Sequence, residues 1–103
     1  MSRALELHPY IVDVLMRDLA GHDRSPSAYF VYLWLWRHSR GRGHETIGAS
    51  LQTIAAGTGL SKSSVQNGAR HLQRRQLISA SRAGATGAPV YTVHEPWRRG
   101  AIG

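Results

Sequence analysis

Between Ser50 and Ile78 the chain reads SLQTIAAGTGLSKSSVQNGARHLQRRQLI, and its caps, breakers and apolar spacings leave little structural choice. Ser50 is placed to cap a helix whose Leu51, Ile54 and Ala55 share one face at spacings of three and four. Gly57 and Gly59 then break that helix where residues free to take positive φ are needed. Leu60 turns back toward the core. Ser61 opens a second helix, with Val65, Ala69 and Leu72 as its buried stripe. Two short helices joined by so tight a turn can bury their stripes only against each other and a further element.

This is the sequence form of a helix-turn-helix, whose second helix typically lies in the DNA major groove. The segment resembles the winged helix-turn-helix family of bacterial and phage regulators and replication initiators. That family has a T/I-x-x-S lead-in, then L-x-x-I/L-A-x-x-T/L-G-L-S-x-x-S/T-V, then L-x-x-x-G-L-I. The matching residues here are Thr46 to Ser50, Leu51, Ile54, Ala55, Gly59, Leu60, Ser61, Ser64, Val65, Leu72, Leu77 and Ile78. The resemblance runs from roughly Ala28 to Val93. It implies a mainly α fold with a small β-hairpin, a three- to four-helix core plus a two- or three-stranded wing. Two departures stand out. Gln76 occupies the usual glycine position, and Gly68 lies inside the second helix, where glycine costs about 1 kcal/mol relative to alanine.

The flanks supply the rest of a single domain over residues 1–103. Pro9 suits a first helical turn, and Ile11, Val14, Leu15 and Leu19 follow at helical spacing up to Gly21. Ser25-Pro26 starts another helix, about Pro26 to Arg40, around the run YFVYLWLW. Apolar all round, that helix needs cover on more than one side. Core packing explains Trp34 and Trp36, and a dimer seam is the sharper alternative. After Ile78 the pattern changes to period two: Leu77–Arg82 and Pro89–His94 read as paired strands, the wing at 77–94. Val90 and Thr92 fall on one face, Tyr91 and Val93 on the other. Thr46-Ile47 can add a third strand, as in the family. The tail 96–103 is expected to be loose, with Trp97 free to pack back.

Thirteen Lys+Arg against six Asp+Glu give a net charge of +7, and all the cations but Lys62 are arginine. Arginine's planar fork suits phosphates and guanine edges, so a polyanionic partner is favoured. With no cysteine there is neither a disulfide framework nor a thiolate metal site. No signal peptide or membrane-crossing run is recognisable, so a cytoplasmic, nucleoid-associated protein is expected. The six histidines form no metal-binding spacing, and no nucleophilic triad or phosphate-binding glycine loop is present. Neither a cofactor nor an enzymatic activity is expected.

At about 100° per residue, Ser63, Asn67, Arg70 and Arg74 line the side of the second helix opposite Val65, Ala69 and Leu72. Gln66 flanks that stripe on one side, Ser64 and His71 on the other. Asparagine and glutamine can pair bidentately with adenine, and arginine with guanine. Lys62 and Ser63 lie in the first turn, where free N–H groups favour a phosphate. The family often has basic residues where Gln66 and Asn67 stand, so this chain exchanges charge for hydrogen bonding. In the family, wings touch backbone or minor groove, which gives Arg82 and Thr86 a role. The DNA-binding set is therefore Lys62, Ser63, Ser64, Gln66, Asn67, Arg70, Arg74, Arg82 and Thr86. The function expected is a homodimeric transcriptional regulator joined through the N-terminal helix and the aromatic helix 26–40. Its recognition helices would enter successive major grooves about 34–36 Å apart. A replication-initiator domain is one rival, although the chain ends soon after the wing. A protein–protein adapter docking through YFVYLWLW is the other.

Overall fold

Serine caps and a left-handed glycine set the central motif. Ser50 caps helix α2 (Leu51–Thr58), its hydroxyl accepting the Thr53 N–H at 3.1 Å. Gly59 ends α2 at φ 81°, and its N–H returns to the Ala55 carbonyl at 2.9 Å. Ser61 then caps α3 (Lys62–Arg74), accepting the Ser64 N–H at 3.1 Å. The computed structural model describes residues 4–82 and 87–100.

Ahead of the motif lie the N-terminal helix Ile11–His22 and helix α1 (Pro26–His38). Ile11–His22 winds as a π-helix, a wider coil than the sequence periodicity implies, and it closes on an Asp23 N–H to Asp18 carbonyl bond of 2.8 Å. Its buried stripe is Ile11, Leu15 and Leu19; Val14 is only half-buried. Helix α1 ends two residues earlier than its apolar run and flanks suggest. Ser39 donates to the Leu35 carbonyl at 2.6 Å, and a 3-10 turn, Arg40–Arg42, follows.

Three antiparallel strands complete the fold: β1 (Thr46–Gly48), β2 (Ile78–Arg82) and β3 (Pro89–Val93), in the order β1-β3-β2. Ile47 pairs with Tyr91 on one side of β3, and Ala80 pairs with Tyr91 on the other. Tyr91 and Val93 are buried while Val90 and Thr92 are half-buried, the alternation the period-two pattern requires. This is a winged helix, mostly helical with a three-stranded wing sheet.

The core is built on α1. Ala28, Tyr29, Val31, Tyr32, Leu35 and Trp36 are buried against Ile54, Val65, Ala69, Leu72, Ile78 and Val93. Tyr32 donates its hydroxyl to the His94 carbonyl at 2.9 Å, and Arg40 donates to the Val93 carbonyl at 3.0 Å, so α1 is fastened to the end of β3. Burial pushes the Tyr32 phenol well above its ordinary range, so it remains a donor. Where a loose tail was expected, Pro96–Gly100 form a short helical turn, and the Trp97 ring stacks on Tyr10 with centroids 4.8 Å apart.

Both departures from the family pattern have a structural counterpart. Gln76 takes φ 59°, the left-handed conformation that glycine adopts freely and that costs other residues roughly 1–2 kcal/mol. Gly68 is buried where α3 crosses the start of α1. A Cβ there would lie 3.1 Å from the Ala28 Cα and the Ser27 carbonyl carbon.

Candidate nucleic-acid interface

Helix α3 turns its apolar stripe inward, which fixes what it can offer outward. Val65, Gly68, Ala69 and Leu72 are buried, while Lys62, Ser63, Gln66, Asn67, Arg70 and Arg74 are exposed. Ser63, Asn67, Arg70 and Arg74 thus share the outward face of a helix held on its other side by the core, with Gln66 on its flank and Lys62 exposed in the first turn. Ser64 lies at the edge of that face. It is half-buried, and its hydroxyl accepts from the Ser61 hydroxyl at 3.0 Å, so it serves the cap. The Ser63 hydroxyl also lies within 3.3 Å of the Ser61 hydroxyl, although the residue itself is exposed.

Arg82 is exposed at the end of β2, across a cleft from α3. Gln66, Arg70 and Gln73 line the helix side of that cleft, and Ser81, Arg82 and Tyr91 line the sheet side. Burial raises the Tyr91 phenol, and the charge of Arg82 partly opposes this. Sequence reasoning passed over Gln73 and Ser81. Gln73 was legible, because it stands three residues past Arg70 on the flank already occupied by Gln66. Ser81 was not, since its position follows from how the sheet folds against α3. Thr86 lies outside the described residues.

The carboxylates sit elsewhere. Asp23 binds His71 Nε2 at 2.7 Å, His22 Nδ1 at 2.9 Å and Arg75 Nε at 3.1 Å. Glu95 binds Arg40 at 2.9 Å and Arg98 at 2.7 Å. Among the described residues no carboxylate pairs with Lys62, Arg70, Arg74 or Arg82. These four cations are available to an external anion. The same residues include no group of His, Asp and Glu able to hold a metal, and no helix long and apolar enough to cross a membrane.

Asp23 is the structural surprise of the site, because it latches the loop before α1 to the C-terminal half of α3. Hydrogen bonds from His22 and His71, with the charge of Arg75, hold its carboxyl below the ordinary Asp range against a desolvation effect of opposite sign. A carboxyl with a depressed folded pKa adds stability above its unfolded pKa, and this is lost as pH falls through the folded value. Asp23→Asn should therefore lower the urea midpoint at neutral pH, and the gap to the parent should close below about pH 4. A gap that stays constant into acid would show that the latch does not depend on ionised Asp23.

A family model described as a helix-turn-helix domain matches residues 25–78. No curated protein and no solved structure matches the chain.

Proposed function

The chain belongs to the helix-turn-helix domain family, which its residues 25–78 match, and from that premise we propose a sequence-specific, double-stranded DNA-binding transcriptional regulator that works as a homodimer. The observation that carries this reading is the outward face of α3. Asn67, Arg70 and Arg74 are exposed on a helix fixed by its buried side, and the arginines have no carboxylate partner among the described residues. Such a helix presents donors and acceptors to base edges from a rigid base, as major-groove readout requires.

In this reading Asn67 and Arg70 contact bases, and Lys62 and Arg74 hold phosphates. Arg82 braces the wing against the backbone across the α3–sheet cleft. The chemistry is recognition alone, without a catalytic step. Phosphate contacts set register and overall affinity, while base contacts set the sequence read.

Selection of a preferred duplex from a random pool, followed by alanine substitution, tests the assignment. Asn67→Ala and Arg70→Ala should each cost roughly 1–3 kcal/mol on the preferred site and relax selection at one position. If both variants select the same site with the parent's affinity, α3 does not read bases.

A further inference from the structure

Helix α3 ends on two adjacent arginines with different surroundings. Arg75 meets carboxylates: its Nε lies 3.1 Å from Asp23, and its Nη2 lies 3.8 Å from Asp18. Arg74, the last residue of α3, is exposed and pairs with no carboxylate among the described residues. Its Nη2 lies instead 3.4 Å from Nδ1 of His71, three residues back on the same helix.

That contact fixes the state of the imidazole. A guanidinium has donors only, so Nδ1 of His71 must be the acceptor and carries no proton. The single proton of the ring is then on Nε2, which donates to the Asp23 carboxylate at 2.7 Å. Asp23 demands the same arrangement from the other end. Its side chain is 9% exposed, and a His22 ring nitrogen at 2.9 Å and the Arg75 guanidinium converge on it as well. Among such neighbours it is an anion, able only to accept. The opposite tautomer would turn a lone pair toward the carboxylate and an N–H toward the guanidinium.

We propose that His71 is a positioning residue for DNA binding: Asp23, in the loop before α1, sets the proton on Nε2, and the bare Nδ1 holds the Arg74 guanidinium ready for a phosphate. This step rests on the reading above, in which Arg74 is a phosphate contact. A neutral imidazole suits the task better than a carboxylate. It orders the side chain while leaving the positive charge and the remaining donors of Arg74 for an external anion. The adjacent Arg75, answered by Asp23 and Asp18, has no such freedom. The gain in affinity is conformational. Immobilising a long, partnerless side chain on binding weakens a complex by roughly twofold to tenfold, and a guanidinium held in advance escapes part of that penalty.

Two measurements on the full chain test the relay. The first needs only the parent: the imidazole nitrogen resonances of His71, above the histidine titration range, should show the proton on Nε2 and a bare Nδ1. A proton on Nδ1 overturns the proposal. The second is a double-mutant cycle on duplex affinity. His71→Phe should weaken binding about fivefold with the slope of log K against log salt unchanged, because Arg74 still reaches its phosphate and only has to be ordered first. Arg74→Gln should instead make that slope shallower by about 0.9. In the Arg74→Gln background, His71→Phe should cost no affinity, although the lost Asp23 bond should lower the urea midpoint in both backgrounds. An equal loss of affinity in the two backgrounds overturns the proposal, since His71 would then act without Arg74. If the parent binds no duplex, the role in DNA binding falls with the reading above, and the nitrogen resonances alone decide whether Asp23 and His71 hold Arg74.

Discussion

A variant carrying Lys62→Gln, Arg74→Gln and Arg82→Gln together is expected to bind its preferred duplex roughly 500-fold more weakly at about 0.1 M salt. Each cation that meets a phosphate contributes about 0.9 to the slope of log K against log salt, so three contribute about 2.7. Across the decade from about 1 M to 0.1 M salt, that slope amounts to the same factor in affinity. All three side chains are exposed, and none pairs with a carboxylate among the described residues. Their loss should therefore leave the urea midpoint where it was. Selectivity among sequences should also persist, because phosphate contacts carry no base information. A loss below tenfold, with the salt slope unchanged, would place the DNA backbone elsewhere on the surface.

Gly68→Leu should damage the fold itself. The α-carbon of Gly68 sits so close to α1 that even a methyl group would stand 3.1 Å from the Ala28 backbone. Alanine can be absorbed by a shift of a few tenths of an ångström, and the better helix propensity, worth about 1 kcal/mol, offsets the crowding. Leucine has no such room. It must drive α3 away from α1, and overpacking of this kind costs about 3 kcal/mol. The expected fall in the thermal midpoint is on the order of 10–20 °C for a chain of this size. Gly68→Ala should remain within a few degrees of the parent. Equal midpoints for the leucine variant and the parent would mean that the two helices do not meet at Gly68.

Local chemistry made much of this structure legible. Ser50 and Ser61 cap because a serine hydroxyl accepts a first-turn N–H that the helix leaves unpaired, and Gly59 ends α2 because only glycine turns left-handed freely. The outward face of α3 followed from its periodicity alone, so Asn67, Arg70 and Arg74 could be named in advance. The wheel put Ser64 on the flank of that face but could not show that its hydroxyl meets the Ser61 cap. The Asp23–His71 latch spans 48 residues of sequence, and no spacing rule reaches that far. The same limit hid Ser81, which enters the cleft only once the sheet is in place. Gln76 is the instructive intermediate. Its departure from the family's glycine was visible in the sequence, but its left-handed backbone is a property of the fold.

The aromatic helix shows a different limit. YFVYLWLW, apolar on every side, announced that α1 is central, and it gave no direction for the part left uncovered. Only the packing of α2, α3 and the N-terminal helix around α1 singles out Phe30 as exposed and opens a cleft beside it.

Binding of the parent protein to a generic fluorescent duplex, followed by anisotropy across a salt series, tests DNA binding most directly. A slope of about −3 or steeper in log K against log salt is predicted, corresponding to three or more phosphates neutralised by the face that carries Lys62, Arg74 and Arg82. No detectable binding even at low salt would contradict it.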